Sequence, residues 1–468
     1  MLNHLRALST VLVVICLARC ALAQPRRINF GELEATALEE IKATNTPGGV
    51  VAVISGDKVI FVKAFGISSI DTRAPVTPDM LFRIGSATKM FTAATLVTLF
   101  EQSGTKLNDP IGGYIAGLNA KLSQVSAHQL LSHTAGINAE LLWEGPHDES
   151  TFSRTLKARD DDYYIAVPGE AFSYSNLGYA FAGLVIQDVS GKPYADCMRD
   201  LLFQPLAMKR TTFRSNLAIT YPFSQGHNFD AATHTPVIVR PVVDNVIYWP
   251  AGYLWSNAAD LAQFVIAFLN DGKLEDKQVL SSAMIRKLST PHAEISDLVS
   301  EGDTWKYGYG LTMYTFRGVH VVEHGGDVPG FGSLIRMVPE QRFAVIILTN
   351  QSGMQLSRTA EKAMDLILPL KAKIESGLKT ALPLSVNEIA EMIGVYVNAD
   401  YKAEIFVKGG RPFFRAFGFE LPITKIGPDR FSASMPQSAA SEAFILRRSK
   451  DGKVNQLQYA LRIFKRVG

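Results

Sequence analysis

Cysteine is scarce: Cys16, Cys20 and Cys197 are the only three in 468 residues, too few for a disulfide-built fold. Neither sign of charge dominates. With 47 Lys plus Arg against 44 Asp plus Glu, the formal charge is +3, which excludes the electrostatic footprint of a nucleic-acid or anionic-lipid binder. No apolar run approaches the roughly 20 residues that span a bilayer. A Gly-x-Ser-x-Gly elbow is missing, which disfavours an α/β-hydrolase triad. His128 and His133 lack the intervening Glu of a metalloprotease helix, so no zinc site, and no cofactor, is expected. Internal repeats and low-complexity tracts are absent too. What remains, 47% hydrophobic and 19% charged, is the composition of a folded globular chain.

The first residues stand apart. Arg6 is followed by an apolar stretch from Val11 to Ala18 and then by Ala21-Leu22-Ala23, the pattern of a secretory signal over residues 1–23. Export to the periplasm or beyond is therefore expected, with no transmembrane anchor in the mature chain and oligomeric state left open. Loss of this leader removes Cys16 and Cys20, leaving Cys197 as a lone, buried structural thiol.

Two β-branched runs, Val50–Ile54 and Val59–Val62, flank Ser55-Gly56-Asp57-Lys58 and predict a hairpin. From Met90 to Phe100 only threonines interrupt the apolar residues, which predicts a helix buried all round, beginning near Ser86. Leu261, Phe264, Val265, Phe268 and Leu269 follow Asn257 at helical spacing. Three antiparallel strands are expected at 319–322, 334–338 and 343–348, then a helix over 354–368. Beyond a linker at 371–384, short alternating segments at 403–408, 412–417 and 444–448 point to a small β domain over 385–468. That segment carries 13 basic and 8 acidic side chains, whereas residues 24–384 carry 32 and 36, a charge asymmetry that supports the boundary.

Chemistry concentrates in three places. Ser86-Ala87-Thr88-Lys89 sets a hydroxyl and an amine one helical turn apart, and burial together with a helix N-terminus favours an uncharged amine able to act as base. Tyr174 and Asn176 sit in Phe172-Ser173-Tyr174-Ser175-Asn176, just ahead of a helical run. There a tyrosine can relay protons, although local packing and an N-cap asparagine would explain the same residues. His324-Gly325-Gly326 ends a strand where glycines admit a substrate backbone to the strand edge.

Ser-x-x-Lys, Tyr-x-Asn and His-x-Gly, in this order, resemble the three signature elements of the penicillin-recognising serine hydrolases. The branch is that of class C β-lactamases, D-alanyl-D-alanine carboxypeptidases, D-aminopeptidases and related esterases. Leu130–Gly136, Pro250-Ala251-Gly252 and Gly330-Phe331 resemble the same group, over roughly residues 35–370. The resemblance implies an α+β fold for residues 24–370, an antiparallel sheet flanked by helices plus an all-helical lobe, followed by a barrel-like domain similar to a lipocalin. It implies a serine hydrolase acting on a small-molecule or peptide substrate. Ser86 would be the nucleophile, Lys89 and Tyr174 would share the proton transfers, and Asn176 would bind the substrate amide. The N–H groups of Ser86 and Asp327 would form the oxyanion hole, with His324, Gly325 and Gly326 lining the substrate site. Where β-lactamases carry Lys-Thr-Gly this chain has His324, partly charged near pH 7 on its reference pKa, so carboxylate recognition should be weaker or pH-dependent. That favours a D-amino-acid peptidase or an esterase; a β-lactamase, or a catalytically silent binding protein, are the alternatives.

Overall fold

The computed structural model describes residues 28–139, 143–159, 163–230, 232–300, 303–373, 381–434 and 441–467. The expected leader lies outside them, as does part of the expected linker.

One antiparallel sheet organises residues up to about 370. Its strands are β1 (Gly48–Ser55), β2 (Lys58–Gly66), β3 (Ala293–Ser300), β4 (Asp303–Tyr307), β5 (Thr312–Phe316), β6 (Val319–Val328), β7 (Phe331–Val338) and β8 (Phe343–Thr349), in spatial order β2-β1-β8-β7-β6-β5-β4-β3. The early hairpin thus closes onto the late strands, with Val51 opposite Ile347. Helices α1 (Gly31–Ala43), α2 (Thr88–Ser103), α3 (Asn176–Ser190), α4 (Ala258–Leu269) and α5 (Ser357–Ile367) cover both faces. This explains why β1 reads as a continuous apolar run. Val50, Ala52 and Ile54 face the core shared with α2, α3 and α4, while Val51 and Val53 pack on α1 and α5. Helix α5 has no cap of its own; the buried carboxylate of Glu40 on α1 accepts the N–H groups of Arg358 and Thr359 instead. Cys197 is buried and unpaired.

The last strands are β9 (Gly394–Asn398), β10 (Tyr401–Lys408), β11 (Arg411–Ala416), β12 (Phe419–Gly427), β13 (Arg430–Ser434), β14 (Ser441–Arg448), β15 (Val454–Tyr459) and β16 (Arg462–Val467). They form a closed up-and-down barrel, sealed where β9 pairs with β16. Its interior is built on Phe414, Phe431 and Phe444, with ring centroids of Phe414 and Phe444 4.9 Å apart. No helix among the described residues is long and apolar enough to cross a membrane.

The barrel docks on the first part through its β15–β16 turn. Ala460 (φ 48°) and Leu461 (φ 69°) both adopt the left-handed conformation of a type I′ turn, which costs about 1–3 kcal/mol for each non-glycine residue. Contacts across the junction hold it there. Asp297 of β3 accepts the Leu461 N–H at 2.8 Å and an N–H of Gln458 at 3.1 Å. Asn398 accepts the Ala139 N–H and donates to the Ile463 carbonyl. Leu461 packs on a cluster of Phe172, Tyr174, Ile295 and Tyr307.

Candidate active site

From Leu81 to Val97 every residue is buried except Ser86, which is half-buried. Ser86 does not lie in the helix itself, as its spacing to Lys89 suggested; it occupies a 3₁₀ turn, Gly85–Ala87, that leads into α2. The turn needs glycine at position 85. Its φ is +52°, and a Cβ there would stand 2.5 Å from the backbone nitrogen of Asp327 on β6. That close approach is also what brings the Asp327 peptide beside Ser86.

Lys89 is fully buried one turn later. Its Nζ lies 2.8 Å from Asn176 Oδ1, 2.6 Å from the Ala251 carbonyl and 3.2 Å from Ser86 Oγ. Burial, seconded by the charge of Arg462, holds its pKa well below the ordinary 10.5. An uncharged amine has two hydrogens, and two carbonyl-type oxygens take them. In that form its lone pair is available to the Ser86 hydroxyl, to which the protonated amine donates at 3.2 Å. Asn176 is free for this contact because Ser175, not Asn176, caps α3, accepting the Gly178 N–H at 2.9 Å. The local reading of Asn176 as an N-cap is thus corrected.

Tyr174 completes the group. Burial pushes its phenol above the ordinary range, against a hydrogen bond with Ser86 and the charge of Arg462, so it stays protonated at neutral pH. Its ring lies 4.8 Å from Lys89 Nζ and tilts over His133 at 4.2 Å. His133 is a platform: its Nδ1 accepts the Ser175 N–H and its carbonyl accepts the Ser173 N–H, fixing the loop that presents Tyr174. The Tyr174 N–H itself donates to the Leu461 carbonyl of the barrel at 2.8 Å.

The third motif departs from expectation. Strand β6 pairs with β5 only as far as Glu323, so from His324 onward the edge facing the cleft is open. His324, however, is buried and has both ring nitrogens engaged. The Gly325 carbonyl can only accept, at 2.6 Å, so Nδ1 carries the proton, and Nε2 accepts from the Tyr307 hydroxyl at 3.2 Å. Desolvation, then the nearby Lys89, pushes its pKa down to about 3. The partly charged histidine expected from a reference pKa is therefore neutral, and it has no N–H to offer a substrate carboxylate. Nor does Gly326 clear space for substrate alone: a Cβ there would meet the Ile84 carbonyl at 2.0 Å and Ser333 Oγ at 2.3 Å. Gly326 lets the nucleophile's turn seat against β6. Gly325 makes room for the Gln355 side chain, and Asp327, exposed, contributes its backbone beside Gly85.

Ser86, Lys89, Tyr174 and Asn176 thus meet at one cleft bordered by the open edge of β6. Ala251, Tyr307 and Arg462 join them without having been assigned roles from sequence. Pro250-Ala251-Gly252 gave a family-like signal with no role attached; Tyr307 and Arg462 gave none. The cluster can pass a proton from a serine to an amine and from a phenol to a leaving group, with two peptide N–H groups beside the serine.

Comparison with known proteins bears on the family and the fold. The family model described as Beta-lactamase matches residues 33–368. Protein flp of Staphylococcus aureus (strain MW2) is 25% identical over 328 residues, 69% of this chain and 63% of its own length, so the chain spans less than two thirds of that relative. A crystal structure of SurE superposes with a TM-score of 0.73 at 23% identity, covering 93% of this chain and 98% of SurE, a likeness of fold. The octameric penicillin-binding protein homologue from Pyrococcus abyssi gives a TM-score of 0.65 at 26% identity over 93% of this chain and all of that one. Three motifs in one cleft, on a fold and a sequence both matched over most of the chain, place this protein in the beta-lactamase family, whose members are usually serine hydrolases.

Proposed function

We propose that the chain is an exported serine hydrolase that cleaves an amide or ester bond through an acyl-enzyme on Ser86, acting on D-amino-acid peptides or carboxylic esters. The observation that carries this is the buried Lys89 amine, its pKa held well below the ordinary value, within hydrogen-bond distance of Ser86 Oγ. Ser86 Oγ attacks the carbonyl carbon as its proton passes to Nζ, and the oxyanion is met by the N–H groups of Ser86 and Asp327. Tyr174 gives a proton to the leaving nitrogen or oxygen and regains one from Lys89. Water then repeats the attack and releases the acid. Asn176, its oxygen taken by Lys89, keeps its NH₂ for a substrate carbonyl. The substrate class follows the resemblance to peptidases and esterases, and the engaged His324 argues against recognition of the β-lactamase type. Export is supported by the Arg6 to Ala23 leader pattern.

Incubation with a fluorescent fluorophosphonate should label Ser86, located by peptide mass spectrometry, and label nothing in Ser86→Ala. A folded protein that takes no label would end the hydrolase assignment.

The pH dependence has a defined sign. A protonated Lys89 has no lone pair for Ser86, so kcat/KM should fall as pH is lowered through its depressed pKa, below the 10.5 of an exposed lysine. His324, held near 3, should add no inflection between about pH 5 and pH 9. In His324→Gln the rate should change while the acid limb stays in place. A limb that disappears in this variant would assign the titration to His324 instead.

A further inference from the structure

The barrel brings a cation to the Ser86 cleft. The Arg462 guanidinium lies 5.5 Å from the Tyr174 ring centroid and 5.0 Å from that of Tyr401, and one of its terminal nitrogens donates to the Ala460 carbonyl at 2.9 Å. Its Nε is buried with no hydrogen-bond partner among the described residues, and no carboxylate among them pairs with it. Two other barrel arginines are paired: Arg415 meets Glu404 and Glu420, and Arg448 meets Asp429 and Glu391. A half-buried guanidinium with most of its five donors unused lacks an anion. Asp297, which anchors the same turn, is already committed to the Leu461 N–H and to Gln458.

We propose that Arg462 is a substrate-binding residue whose guanidinium pairs with a free carboxylate on the acyl donor. This rests on the acyl-enzyme reading of Ser86. Three observations converge on it. The turn that carries Arg462 is held in a strained left-handed conformation and bonded directly to the Tyr174 backbone, so its position relative to the nucleophile is fixed. The open edge of β6 offers no cation, because His324 is neutral and both its nitrogens are used. A planar guanidinium stacked on two aromatic rings presents its remaining N–H groups as a fork, the shape that matches a carboxylate. Carboxylate recognition has moved from the third motif to the barrel.

The test is protection of Ser86 from fluorophosphonate labelling by N-acetyl-D-alanine and N-acetyl-L-alanine, each against its carboxamide. In the native protein at least one acid should protect at concentrations roughly 10- to 100-fold below its amide. In Arg462→Ala that ratio should collapse to about one, and Arg462→Lys, which keeps the charge without the fork, should retain part of it. A purely packing role would change acid and amide alike. Equal protection by acid and amide in the native protein, or a ratio that survives in Arg462→Ala, overturns the proposal. Labelling itself reports a folded site, and Arg462→Lys decides the matter if the alanine variant takes no label. Failure of the native protein to label at Ser86 refutes the hydrolase reading, whereas labelling without acid preference refutes only the role of Arg462.

Discussion

Lys89→Met is expected to lower kcat/KM on a p-nitrophenyl ester by about 10³- to 10⁴-fold while the protein still folds. Methionine keeps an unbranched side chain of similar length in a pocket that is wholly buried. It removes the only base within hydrogen-bond distance of Ser86 Oγ among the described residues. The stability change is the sum of opposing effects. Asn176 Oδ1 and the Ala251 carbonyl lose their donor, at about 1–3 kcal/mol each, while the desolvation of an amine is relieved. A melting curve together with the rate separates the two. Retention of activity within about ten-fold would place the general base elsewhere.

Gly326→Ala should produce the second large loss, at least about 100-fold in the rate of Ser86 labelling, with destabilisation of about 1–3 kcal/mol. The added methyl would stand 2.0 Å from a backbone oxygen, Ile84 O, and 2.3 Å from Ser333 Oγ, which itself donates to Ile84 O at 2.7 Å. Neither neighbour is the loose end of a long side chain. Relief requires β6 to part from the turn that carries Ser86, which moves the Asp327 N–H away from the serine. Gly113→Ala, where an added Cβ meets nothing within 4 Å, is the matched control and should be silent in both measurements. Equal behaviour of the two variants would remove the close-packing argument for the third motif.

Local patterns carried a large part of this structure. The all-apolar character of Met90–Phe100 foretold a helix buried on every side, and Asn257 capped α4 where the period began. The hairpin at Gly48–Gly66 and strands β6, β7 and β8 followed from alternation and turn residues. In the barrel, the segments at 403–408, 412–417 and 444–448 fall on β10, β11 and β14, whereas the weaker alternation of β12, β13 and β15 hid those strands. The site was legible as residue types and order, but not as protonation or contact. The neutrality of His324 depends on burial and on Lys89, neither of which is encoded near position 324. Ser175 and Asn176 are both good caps, and only the fold decides which one turns toward Lys89. Arg462 was invisible because nothing in a basic strand end indicates a tyrosine nearly three hundred residues earlier.

The bond from the Tyr174 N–H to the Leu461 carbonyl also sets an order of assembly. All the motif residues are synthesised before the barrel begins, yet the peptide group that anchors the Tyr174 N–H is made only with the β15–β16 hairpin. Contacts of such long sequence separation form late, after the intervening chain has found its own structure. A nascent chain that has finished the sheet and helices holds the Tyr174 loop through His133 but leaves the Tyr174 N–H without its partner. Removal of the barrel would leave every motif residue on a single fragment and take away the carbonyl that holds the Tyr174 N–H.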